Sequence, residues 1–97
     1  MTASLPDEQS WRVAEGLRWR CWDGDLVVFN PLSGYTHFLD VMTGQILTLL
    51  ISGHSTVSAL RSGVATFLEV PDDDKLADTV DDTLIRLEDI GLVERLD

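Results

Sequence analysis

Two histidines, His37 and His54, and a single cysteine, Cys21, are the side chains here best suited to metal ligation or nucleophilic catalysis. They are scattered, with no Cys-x-x-Cys or His-x-x-x-His pair, whereas a metal centre needs several ligands gathered in space. No metal site is expected. Gly53-His54-Ser55 hints at a nucleophile elbow, but the second glycine of that motif should stand where Val57 sits, so Ser55 reads as a helix cap. There is no glycine-rich phosphate loop, and no cofactor is implied. Carboxylates are plentiful at Asp72, Asp73, Asp74, Asp78, Asp81 and Asp82. They read as a charged helix start and a solvated helix face, with an acidic rim for a basic partner as the functional alternative. His37 reads as a partly buried, hydrogen-bonded histidine. Of the tryptophans Trp11, Trp19 and Trp22, the last shares a strand face with two arginines and is the candidate exposed anchor. The chain therefore offers binding chemistry and no catalytic constellation, and it is expected not to be an enzyme.

The elements that position these residues follow from periodicity. Leu17, Trp19 and Cys21 alternate with Arg18, Arg20 and Trp22, the pattern of a half-buried strand. Asp23-Gly24-Asp25 is a tight-turn signal. Leu26–Phe29 forms a second, more buried strand, Asn30–Gly34 a second turn, and Tyr35–Leu39 a third strand. Two short turns joining three strands make an antiparallel meander. From Asp40, a plausible N-cap, the period becomes helical, with Met42, Ile46, Leu49 and Leu50 on one face. Ser52-Gly53-His54 ends that helix. A second helix, capped by Ser55 or Thr56, carries the stripe Val57, Leu60, Val64, Phe67 and Leu68 until Val70-Pro71 breaks it. A third helix carries Leu76, Val80, Leu84 and Leu87 and stops at Gly91. Residues 92–96 form a short strand or coil. The predicted fold is α+β, winged-helix-like: a three-stranded antiparallel sheet followed by a three-helix bundle. Residues 1–10 read as a flexible start, loose to about residue 12, and 11–97 as one domain.

Composition narrows the partners. The 97 residues hold 17 Asp and Glu against 7 Lys and Arg, a net charge of −10. A protein that binds duplex DNA needs a cationic surface to displace counterions from phosphate. A DNA-reading winged helix is therefore disfavoured, the more so because the second helix contributes only Arg61. The first ten residues lack an apolar run, and no apolar stretch is long enough for a bilayer. One cysteine forms no internal disulfide. These features read as a soluble cytoplasmic protein without membrane or nucleic-acid partners.

Three blocks in order, Trp19-Arg20-Cys21-Trp22-Asp23-Gly24, then Val27-Val28-Phe29-Asn30-Pro31-x-Ser33-Gly34, then Thr36-His37-Phe38-Leu39-Asp40, resemble the PqqD-like peptide chaperones of the HPr-rel-A type. Leu87-Glu88-x-x-Gly91-Leu92-Val93 is also similar, though common in winged helices generally. The likeness covers roughly residues 11 to 95. It implies a RiPP recognition element, which binds the leader segment of a ribosomally made precursor peptide and presents it to modifying enzymes. It further implies company with an HPr-kinase-related protein and a nucleotidyltransferase-like protein. A homodimer is compatible with this reading. A structural subunit that activates the kinase-like partner without handling peptide is the remaining alternative. In the family the leader adds as a strand beside the third strand and lies against the third helix. Carried onto this chain, the edge is Tyr35, Thr36, His37, Phe38, Leu39 and Asp40. The wall is drawn from Leu76, Thr79, Val80, Thr83, Leu84 and Leu87, and the sequence leaves open which of these six belong to the core. A free sheet edge, with unpaired N–H and C=O groups, supports that mode on physical grounds. Because amides alternate along a strand, one of Thr36 and Phe38 is expected to carry the outward donor.

Overall fold

The computed structural model describes residues 5–23 and 25–96. Turn chemistry sets the sheet. β2 (Arg18–Trp22) and β3 (Asp25–Asn30) pair antiparallel, and the Trp22↔Asp25 pair closes their hairpin. Asn30-Pro31-Leu32-Ser33-Gly34 makes the next bend: the Gly34 amide donates to the Asn30 carbonyl at 2.8 Å, with Gly34 at a φ of +79°. That backbone conformation favours glycine, because residues with a Cβ rarely adopt it. β4 (Tyr35–Leu39) then returns along β3 and completes the sheet in the order β2-β3-β4. The expected antiparallel meander is present.

Three helices follow: α1 (Val41–Ile51), α2 (Val57–Leu68) and α3 (Asp74–Asp89). Each starts on a side-chain oxygen that accepts an otherwise orphaned amide. Asp40 accepts from Thr43, Thr56 from Ala59, and Asp73 from Leu76. Of the two capping candidates for α2, Thr56 does the work. The α1 residues Ile46, Leu47 and Leu50, the α2 residues Leu60 and Val64, and the α3 residues Val80, Leu84 and Leu87 meet Leu26, Val28 and Leu39 in one core. The α+β architecture of a sheet followed by three helices is thus as expected.

Three details differ. First, Trp11–Val13 forms a strand, β1, which pairs antiparallel with a C-terminal strand, β5 (Val93–Arg95), in a separate two-stranded ribbon. The segment before it is tied down as well. The Asp7 and Gln9 carbonyls accept from Ser58 and Val57, and the Leu5 amide donates to Asp81. Short polar stretches read as loose, but here they close over the N-terminal end of α2, whose first amides need partners. Residues 1–4 lie outside the described residues. Second, β2 is exposed on both faces. It alternates as a half-buried strand should, yet it packs only on β3, because α1 covers β3 and β4. Third, Phe67 and Leu68 stand outside the core, Phe67 at 50% exposed, and Ala65 takes the buried place. The α2 stripe drifts around the helix in its last turn, ahead of Glu69 at a left-handed φ of 56°.

Asp81 is an expensive feature of this packing. It is buried; its Oδ2 accepts from the Leu5 amide at 3.2 Å, and its Oδ1 has no partner among the described residues. Burial raises its pKa, opposed by the Leu5 bond and Arg61 and assisted by Asp78 and Asp82. The folded state therefore holds the proton more tightly than the unfolded state. Stability falls as pH rises from the ordinary carboxylate value through the raised folded one, and the loss persists above it. Asp81→Asn keeps the acceptor for Leu5 and removes the charge. Its melting temperature should exceed that of the parent at pH 7 and match it once the medium is acidic enough to protonate Asp81 in both states. An equal or lower melting temperature at pH 7 would contradict this account.

Candidate peptide-docking edge

The free edge of β4 has a direction that the ladder determines. In a two-residue hairpin the closing pair, here Trp22↔Asp25, exchanges both of its backbone hydrogen bonds. Counting by twos along β3, residues 25, 27 and 29 bond toward β2, and 26, 28 and 30 toward β4. Their partners on β4 are Leu39, His37 and Tyr35. The amides of Thr36 and Phe38 therefore both point outward. This corrects the expectation that only one of the two does: residues two apart share a direction.

Beside that edge lies a cleft of about 460 Å³, bordered by residues 36–40 of β4 and the α1 cap, by Thr43, and by Arg86, Leu87 and Ile90 of α3. Thr36, Phe38 and Asp40 are exposed, Phe38 at 71%; His37 is half-buried and Leu39 buried. Tyr35 is also exposed but lies just beyond the cleft, its ring tilted against His37 at 6.5 Å between centroids. The His37 Nε2 is buried without a hydrogen-bond partner among the described residues, a state that costs about 1–3 kcal/mol. The Asp40 carboxyl is held below its usual pKa, first by the Thr43 amide, then by the Thr43 hydroxyl and, at longer range, by Arg86, against a smaller effect of burial.

The structure divides the six wall candidates. Leu76, Val80 and Leu84 belong to the core. Thr83 is buried, its hydroxyl donating to the Thr79 carbonyl, and Thr79 is exposed, donating to the Lys75 carbonyl. None of these five borders the cleft; Leu87 does, as its buried floor. Sequence reasoning missed Thr43, Arg86 and Ile90. Ile90 continues the Leu87 stripe by one i,i+3 step, a signal hidden by the helix stop at Gly91. Arg86 sits one residue before Leu87, in the last turn, where a cation suits the helix dipole. Among the described residues, no cluster of His, Cys, Asp and Glu is arranged to hold a metal, and no helix is long and apolar enough to cross a membrane.

No protein-family profile matches the chain, and no curated protein does. By fold it is a small α+β domain of sheet and three helices with an open sheet edge. A solved structure that shares this fold is that of TbiB1 in complex with the TbiA(beta) leader peptide. The likeness has a TM-score of 0.76 at 18% identity and covers 86% of this chain and 94% of that one. At that identity it is a likeness of fold.

Proposed function

We propose that this chain is a non-catalytic peptide-binding adaptor of the PqqD-like kind. It takes the leader segment of a precursor peptide as an added strand on β4 and presents it to modifying enzymes, among them an HPr-kinase-related protein and a nucleotidyltransferase-like protein. The observation that carries this reading is the open β4 edge, with two outward amides beside a cleft, on a fold shared with a protein solved with a leader peptide. Main-chain pairing supplies affinity, and the cleft selects side chains of the guest. Arg86, Leu87 and Ile90 replace the wider helix wall as the selecting surface. The DNA-binding alternative loses further ground: Arg61, the one cation of α2, lies 2.7 Å from Asp72 and 3.3 Å from Asp7.

Titration of fluorescent peptides encoded beside the gene tests the reading. One of them should bind saturably. Ile90→Glu places a charge on a half-open cleft wall without touching the core, so it should weaken that peptide at least about tenfold, or 1.4 kcal/mol, with an unchanged circular dichroism spectrum. If none of these peptides binds, or if Ile90→Glu and the edge variants argued below all leave affinity intact, the adaptor reading fails.

A further inference from the structure

The sheet has a second open edge, and its chemistry differs from that of the first. β2 pairs only with β3. The same count that turns Thr36 and Phe38 outward leaves the amides of Trp19 and Cys21 pointing away from β3. On the outer face of this strand stand Arg18, Arg20 and Trp22. Neither arginine has an ion-pair partner among the described residues, whereas Arg12 and Arg95 each have one and Arg61 has two. In a chain of net charge −10, this is a local cationic stripe. On the other face Trp19, at 46% exposed, borders a hollow of about 510 Å³ walled chiefly by Trp11, Val13, Leu17, Leu50 and Ile51. Trp22 is 66% exposed at the end of the strand.

We propose that the β2 edge is a second strand-docking site, and that its occupant is an extended acidic segment of a partner protein. The two faces of β2 dictate the pattern of that segment. Side chains of an added strand alternate between faces. Those on the outer face meet Arg18 and Arg20 and are carboxylates. Those on the inner face meet Trp19 and the hollow and include a large apolar residue. Arginines on a sheet edge also guard against aggregation; that role accounts for the charges but not for the two exposed tryptophans or the apolar hollow beside them, and aromatic residues and arginine are the types that anchor interfaces. With β4 on the opposite side of the same sheet, the domain holds two strands at once without competition. An adaptor that grips one segment on β4 is thereby tethered through β2 to the protein that acts on it. The β2 site rests on its own residues and stands whether or not β4 takes a leader.

The test uses the full chain and two synthetic peptides of about ten residues, long enough for a full strand. One alternates Glu with Thr and carries a central Phe at a Thr position; the other has Lys in place of every Glu. The Glu peptide should bind saturably, shift the amide resonances of Trp19 and Cys21 in a 15N–1H spectrum, and bind at least about tenfold tighter than the Lys peptide. The double variant Arg18→Glu/Arg20→Glu, which changes only exposed side chains, should reverse that preference. Cys21→Pro should abolish binding, and Phe38→Pro should leave it unchanged. The proposal is overturned if neither peptide binds, if both bind alike, or if the double variant keeps the preference. Loss of the Glu peptide on Phe38→Pro would overturn it too, by placing the acidic strand on β4. Failure of the β4 reading shows differently, as leader peptides that do not bind while the Glu peptide does.

Discussion

Trp11→Ala is expected to cost about 3–5 kcal/mol, the range for emptying an aromatic core site. That is a large share of the total for a small domain, which is about 5–15 kcal/mol. Trp11 is 1% exposed and lies in the main core cluster although it stands in a three-residue strand near the start of the chain. Its amide donates to the Ser55 carbonyl at 2.7 Å, and the Arg95 guanidinium lies 4.9 Å from its ring centroid, so one residue ties together β1, the entry to α2 and β5. Trp11→Phe keeps most of the ring and removes an indole Nε1 that has no hydrogen-bond partner among the described residues. It should recover most of the loss. Urea melts of the three proteins decide this. An alanine variant within about 1 kcal/mol of the parent, well below the expected range, would mean that the ribbon is not part of the cooperative core.

The same residue shows where sequence reading stops. The meander and the three helices were legible because each has its own period and its own punctuation: Asn30-Pro31 and Gly34 at a turn, Asp40 at the first cap, and the charges of Asp72, Asp73 and Asp74 at the start of the third helix. The β1–β5 ribbon had neither. Its strands are three residues long and are joined only through the rest of the chain, so no local pattern announces their pairing. The exposure of β2 was equally invisible. Alternation of Leu17, Trp19 and Cys21 reports that a strand has two unlike faces, but whether a helix covers one of them depends on where α1 packs. Phe67 fell to the helical period of 3.6, which shifts a stripe enough over three turns to move a residue from core to surface. At the candidate site the edge was legible as Tyr35–Asp40, since an edge needs only strand order. The wall was not. Leu76, Val80 and Leu84 are apolar at helical spacing whether they face core or guest, and only packing separates them from Leu87 and Ile90.

Strand direction gives the largest expected effect on binding. Proline at Phe38 or Thr36 removes an outward donor that a guest strand needs, while the ladder to β3 keeps its bonds, and proline is tolerated at such edge positions. Both variants should therefore fold and lose the leader peptide by well over tenfold, since the lost bond and the ring at the edge both oppose pairing. Proline at His37 does the opposite. His37 faces Val28, which is fully buried, and the ladder count makes them a doubly bonded pair. His37→Pro leaves the Val28 carbonyl without its donor, at a cost of about 1–3 kcal/mol for the unsatisfied group, with further loss from disruption of the strand. A folded, non-binding Phe38→Pro beside a destabilised His37→Pro is the signature of a guest strand on β4. Circular dichroism melts and peptide titrations on the same samples read both halves. If Thr36→Pro and Phe38→Pro fold and still bind with parental affinity, the guest does not pair with this edge. If His37→Pro melts like the parent, the direction assigned to the β4 amides is wrong.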